Sequence, residues 1–301
     1  MPADSANLSR VAELFGADTR GEAQWAALVA AQRCPYEAKR CYKVRKSDPS
    51  ISIGTCTVRA GKSLTPLVIC PSRFMEGTRV FNDVLPLMTA HEPGNDYHIV
   101  SEVSVPGGSV DYFVVSARAG KAVDFVGVEF QALDTTGTVW PHRQKFLASK
   151  GVVAEPAEDI RGFGVNWKMT AKTILVQLHH KIATFESVNR KLVLVLQDEL
   201  MDYMTREFSF GHLAEGAPAD SLHFHAYSLV ERGAAIELAF AGRRSTDEAG
   251  IERALSLGQS GKVELTELLT KLNSKINECT RWQPIQATPP PGAEPSTMPT
   301  E

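Results

Sequence analysis

Two consecutive apolar runs, Val110–Ala117 and Ala122–Leu133, most constrain what this chain can fold into. Both are rich in Val and Phe, and the short break Ala119-Gly120-Lys121 between them predicts an antiparallel hairpin. With Arg118 facing Ala122, paired positions sum to 240, so Asp111 falls opposite Glu129. Side chains alternate with a period of two, which puts Gln131 on the face of Glu129. Two carboxylates opposed on apolar strands repel each other and call for a cation between them. Mg²⁺ suits such a place, because it takes one or two carboxylates plus a carbonyl, here that of Phe130, and keeps water for chemistry. The plainer alternative is a surface Asp111 and a solvated Glu129. Against it, Val126, Val128, Phe130, Ala132 and Leu133 leave Glu129 little polar company.

Around this hairpin the patterns follow in order. Residues 8–32 carry helical spacing (Leu8, Val11, Leu14, Phe15, Trp25, Leu28, Val29) and predict one or two short helices. A helix follows over residues 80–88, then strands over Tyr97–Val105, Val110–Ala117 and Ala122–Leu133. A polar excursion covers residues 134–164. After it come a helix over Lys168–Val188, a strand over Lys191–Gln197 and a helix over Asp198–Phe208. The order α, β, β, β, α, β excludes a regularly alternating doubly wound sheet and predicts a mixed α/β (α+β) fold. Ser221–Glu231 and Ala234–Ser245 predict a hairpin through Arg232-Gly233. Lys262–Glu278 predicts an amphipathic helix, and the Pro-rich stretch from Pro284 to Glu301 predicts disorder. The division read from these patterns is 1–77, 78–282 and 283–301.

Residues 33–77 are loop-rich and hold Cys34, Cys41, Cys56 and Cys70, spaced by six, fourteen and thirteen residues. Two disulfides or one four-thiolate site account for such a set. The absence of a leader-like or membrane-spanning segment predicts a cytoplasmic protein with no membrane partner, where thiols stay reduced and a closed, structural site for iron or zinc is favoured. Cys279 reads as a buried apolar residue. Composition is ordinary for a globular chain, 43% hydrophobic and 22% charged, with a net charge of -3. Between Arg33 and Arg79, however, ten Lys or Arg stand against three acids, a local +7 that leaves -10 elsewhere. Lys39, Arg40, Lys43, Arg45, Arg59 and Arg73 are therefore the expected DNA contacts, with a merely solvated basic face as the alternative.

Taken together, Asp111, Glu129-x-Gln131 and the αβββαβ order resemble the PD-(D/E)xK nucleases. Cys34-Pro-Tyr, Cys41-Tyr-Lys43, Gly54-Thr-Cys56, Cys70-Pro-Ser-Arg73 and VEFQALDTTG resemble more narrowly the NotI-type restriction endonucleases, over roughly residues 30–185. The resemblance implies that Asp111 and Glu129 are catalytic metal-binding acids. It also implies that Gln131 replaces the usual lysine and orients water only by hydrogen bonding, and that Glu102 is an accessory acid. It puts Gln177 and Lys181 at a QxxxK pattern, with Lys172 as a phosphate contact, a surface-lysine reading of both lysines staying open. It favours iron over zinc in the cysteine site.

The expectation is thus a homodimeric, Mg²⁺-dependent type II-like enzyme that cuts double-stranded DNA at a palindromic, GC-rich site. The alternative is a non-catalytic or weakly specific DNA-binding or repair protein that uses the metal knot. His179-His180 and His223-x-His225 are read as ordinary core or surface residues.

Overall fold

In the computed structural model the Val/Phe runs form the expected hairpin, β8 and β9 of the larger sheet. The structure describes residues 8–152, 162–213, 215–256, and residues 266, 269, 270, 273 and 274. Met1–Gly258 is one compact unit and Gln259–Glu301 a second. In the second, Thr266, Leu269, Thr270 and Asn273 are helical. Most of the helix expected over Lys262–Glu278, Cys279 and the Pro-rich stretch lie outside the described residues.

The first unit opens with β1 (Val11–Leu14) and β2 (Ala17–Asp18), then α1 (Trp25–Ala31). The helix expected to start near Leu8 is therefore corrected to a strand: Val11, Ala12, Leu14 and Phe15 are all buried, a four-residue run that suits a two-sided strand better than a helical stripe. Next come β3 (Val44–Arg45), β4 (Asp48–Ser52), β5 (Thr55–Ala60) and β6 (Thr65–Val68). A small sheet has the order β2-β1-β5-β6, and β3 pairs with β4 separately. After a 3₁₀ segment over Pro71–Thr78, α2 (Arg79–Val84) leads into the main body.

That body contains β7 (Asp96–Val105), β8 (Gly108–Arg118), β9 (Lys121–Gln131), β10 (Thr135–Thr136), α3 (Trp140–Ser149), β11 (Gly164–Val165), α4 (Trp167–Ser187), β12 (Lys191–Gln197), α5 (Asp198–Glu207), β13 (Leu222–Arg232), β14 (Ala235–Thr246) and α6 (Glu248–Ala254). The stretch read as an excursion thus holds α3. The six-stranded sheet runs β14-β13-β12-β9-β8-β7, with β12 parallel to both neighbours and the other pairs antiparallel. One face is covered by α4, α5 and α6 through Leu178, Phe185, Leu200 and Ile251. Phe74, Val80, Phe81 and Val84 cover the other. The outer strand β7 is exposed along nearly its whole length.

Two glycines bring α4 close enough to matter for the site. A Cβ on Gly127 in β9 would stand 2.5 Å from the Phe185 ring, and one on Gly107, in the β7–β8 turn, 2.0 Å from the His180 carbonyl oxygen. Only a residue without a side chain lets the helix seat there.

Candidate active site

The hairpin turn differs from the expected one. Arg118 pairs with Lys121, and the two-residue turn Ala119-Gly120 has φ of 51° and 73°, as a type I′ turn requires. A one-residue bulge between Ala122 and Asp124 then shifts the register, so that Ser116–Asp124, Phe113–Gly127 and Tyr112–Val128 all sum to 240. The register is the expected one although the loop is not. The ladder stops at Tyr112–Val128, one step before Asp111 and Glu129. There Asp111 Oδ2 accepts the Phe130 amide N–H at 2.8 Å.

Glu102 extends the row outward. In the β7–β8 ladder Ser101 faces Tyr112 and Val103 faces Val110, which aligns Glu102 with Asp111. Its φ is +55°, a left-handed conformation uncommon for Glu in a strand and of the kind that clusters at functional sites. Glu102 and Asp111 line a cleft of about 380 Å³ together with Lys39, Tyr42, Tyr112 and Phe130.

From α4, Lys181 reaches into this row. Its Nζ donates to Glu129 Oε1 at 2.6 Å and to the Ser109 carbonyl at 2.6 Å, with both Lys181 and Glu129 buried. Burial pushes Glu129 up to about 7, the Lys181 hydrogen bond opposing and the Asp111 charge adding. Burial also raises Asp111, against the Phe130 N–H and the Lys181 charge. Two acids close enough to feel each other's charge, with a cation already held against one, form a donor set that suits a divalent ion. Among the described residues no three His, Cys, Asp or Glu side chains are gathered as a metal cluster, so a third ligand would come from the main chain or from water.

Lys181 is the residue that sequence reasoning left as a surface alternative. Its signal was present: it stands three residues after Leu178 and four before Phe185, inside the buried stripe of α4, where an aliphatic residue would be ordinary. Gln177 and Lys172, by contrast, are exposed. Gln131 is half-buried and donates from Nε2 to the Ala132 carbonyl at 2.6 Å, so in this arrangement it does not touch the acids.

Two of the expected DNA contacts are corrected outright. Arg59 is 1% exposed and pairs with Glu231 at 2.9 Å, and Arg73 is fully buried between Glu13 at 2.7 Å and Glu76 at 3.0 Å. Charge counting missed this because Glu231 lies far along the chain. Lys39 is exposed and pairs with Glu37 at 2.5 Å, and Arg40 is exposed beside the Ser50 carbonyl. Lys43 donates to the Ile69 carbonyl, and Arg45 lies over Trp140.

Cys34, Cys41, Cys56 and Cys70 are all free and buried. Cys34 and Cys41 sit on a short ladder around the Arg33–Arg40 bridge, with the Cys34 N–H donating to the Lys39 carbonyl and the Cys41 N–H to that of Gln32. Cys56 lies in β5 and Cys70 just beyond β6, and burial raises both Cys34 and Cys56. Four reduced, buried thiols are a donor set that suits iron or zinc, although the described side chains are not drawn into a cluster.

A family model described as restriction endonuclease NotI matches residues 26–224, about two thirds of the chain. The chain belongs to the NotI restriction endonuclease family. It is accordingly a type II site-specific deoxyribonuclease, and the binding-only alternative falls away. No curated protein matches the chain. The match to this endonuclease family takes in β7, β8, β9 and α4, and with them every acid of the row and Lys181. Among the described residues no helix is long and apolar enough to cross a membrane.

Proposed function

We propose that this endonuclease hydrolyses phosphodiester bonds of double-stranded DNA at the row Glu102, Asp111 and Glu129, with Mg²⁺ as cofactor. The α2, β7, β8, β9, α4, β12 succession is read as a PD-(D/E)xK core, residues 78–282 as the hydrolytic part and 1–77 as the DNA-contacting part. One observation carries the reading: cross-strand acids on neighbouring strands, with Lys181 buried against Glu129.

Asp111, Glu129 and the Phe130 carbonyl would hold the ion. When bound, it polarises the phosphate, lowers the pKa of water and neutralises the leaving oxygen. The chain's own residues do the rest. Asp111 is fixed by the Phe130 N–H, so its second oxygen stays oriented outward from the ladder end. Lys181 holds the Glu129 carboxylate in place and supplies the positive charge that Gln131, in the usual lysine position, does not carry. Gln131, released from the Ala132 carbonyl, orients water by hydrogen bonding. Glu102 accepts from a bound water at the outer end. Cys34, Cys41, Cys56 and Cys70 would hold iron or zinc as a structural clip, and Lys39, Arg40, Lys43, Arg45 and Lys172 contact DNA. We read the enzyme as a cytoplasmic homodimer cutting a palindromic, GC-rich site; the need to cut both strands symmetrically supports the two-fold part of that reading.

The test is Mg²⁺-dependent cleavage of methylation-free genomic DNA by Asp111→Ala and Glu129→Ala. Loss of a metal ligand removes several kcal/mol of charge stabilisation, so activity should fall by about a thousandfold or more. Persistence of cleavage in either variant sinks the assignment.

A further inference from the structure

Beyond the end of β9 the surface opens into a cleft of about 660 Å³. Lys43, Arg45 and Lys46 of the β3–β4 hairpin line it, with Leu133, Asp134 and Trp140. Among the described lining residues, Lys43, Arg45 and Lys46 stand with one acid, Asp134. Among the described lining residues there is no Asn or Gln, the amide side chains that read adenine edges.

Trp140 carries two guanidinium groups. The Arg45 and Arg143 Cζ atoms both stand 4.7 Å from its ring centroid. Arg143 is buried, donates to the Ile53 carbonyl and to Gln144 Oε1, each at 2.7 Å, and among the described residues has no carboxylate partner. A buried cation without an anion is costly unless something supplies negative charge nearby. Burial accordingly lowers it to about 10. The indole holds the Arg45 guanidinium over a defined surface and lowers the entropy lost when that cation binds.

We propose that this cleft grips the phosphate backbone of the DNA strand that leaves the catalytic row, and that Trp140 is the positioning residue that sets Arg45 on a phosphate. The proposal rests on the reading of Asp111 and Glu129 as the cutting acids. Asp134 lies five positions after Glu129, so this edge of the cleft is at most roughly 18 Å from the acid, about five phosphate steps along one strand. The cleft is therefore within reach of a strand held at the row.

The test uses the full protein, Ca²⁺ in place of Mg²⁺, and a short fluorescein-labelled duplex of arbitrary sequence whose affinity is followed against salt. Arg45→Ala should weaken binding several-fold and flatten the slope of log affinity against log salt by about 0.9, the value of one phosphate contact. Trp140→Ala should do the same in part while Trp140→Phe restores both, a rescue that a purely structural role for the ring does not produce. Wild-type affinity and slope in Arg45→Ala overturn the proposal. So does a wild-type slope in Trp140→Ala, or a Trp140→Phe that fails to rescue. Should Trp140→Ala fail to fold, Arg45→Ala and Trp140→Phe still decide. A lost preference among sequences with an unchanged slope in Arg45→Ala assigns the contact to a base edge, and also overturns it. Failure of the catalytic reading appears elsewhere, as cleavage by Asp111→Ala, and leaves these binding curves unaltered.

Discussion

Two buried ion pairs, one around Arg73 and one around Lys181, look alike in distance and differ in company. Arg73 Nε meets Glu13 at 2.7 Å, Nη1 meets Glu76 at 3.0 Å, and Nη2 donates to the Ile236 carbonyl at 2.7 Å. Glu13 also accepts from Thr57. Every nitrogen of the planar fork has an acceptor, and the group ties β1 of the small sheet to β14 of the large one. Lys181 is a single point charge with one carboxylate and one carbonyl, next to a second acid that it does not bond. An arginine held by two carboxylates and a carbonyl clamps the fold. A lysine held by one carboxylate and one carbonyl beside a second acid keeps an N–H that can donate to a ligand.

Removing Arg73 should therefore have the largest effect on stability. Arg73→Ala leaves Glu13 buried without its cation, at a cost of about 3–5 kcal/mol in chemical denaturation. A cost near zero would mean the pair does not clamp the sheets together. Acid sharpens the contrast from another side, because His223 and His225 are buried and pushed down to about 4, chiefly by burial. The unfolded chain binds their protons first, near the ordinary 6.5, so stability is intact above about 6.5 and is lost as pH falls towards 4. A single histidine moved that far accounts for about 3 kcal/mol. A flat stability profile between pH 6.5 and 4 in metal-free protein would refute it.

Lys181→Met should cost cleavage more than fold. Burial raises Glu129 to about 7, so it can take a proton when its cation goes. We expect cleavage to fall about a hundredfold, with Lys181→Arg not restoring it because a fork does not fit a point-charge seat. Equal stability loss for Lys181→Met and Arg73→Ala would erase the distinction between the two pairs. The smallest effect should come from Lys39→Ala: its pair with Glu37 is exposed and contributes about 0–1 kcal/mol, so melting should hardly move while DNA affinity drops.

Much of this was legible in the chain. β12 and the start of α5 fall where the apolar run and its break at Asp198 put them, because a short continuous apolar run bounded by a break makes a strand buried on both faces. The alignment of Asp111 with Glu129 was reached through a three-residue loop, while the protein uses a two-residue turn plus a bulge. The two differ by one residue twice over and cancel. The spacing of Val11, Leu14 and Phe15 fits a helical stripe, and only the burial of Ala12 and Glu13 as well shows β1 to be a strand covered on both faces. Arg59 and Arg73 looked like surface charge because their partners, Asp18 and Glu231 or Glu13 and Ile236, come together only through tertiary packing. Lys181 was undervalued for the same reason.

The left-handed backbone of Glu102 has a second consequence. Ten-residue β7 is a bare border of the sheet, with Tyr97, Ile99, Val100 and Val103 each more than a third exposed and no Pro or Lys among its residues to discourage a newcomer. The twist at residue 102 breaks the even rhythm of outward amides and carbonyls, dividing the border into two short lengths, neither long enough to template a foreign strand well. The acid that completes the row is thus also the interruption that keeps the rim of the sheet from growing.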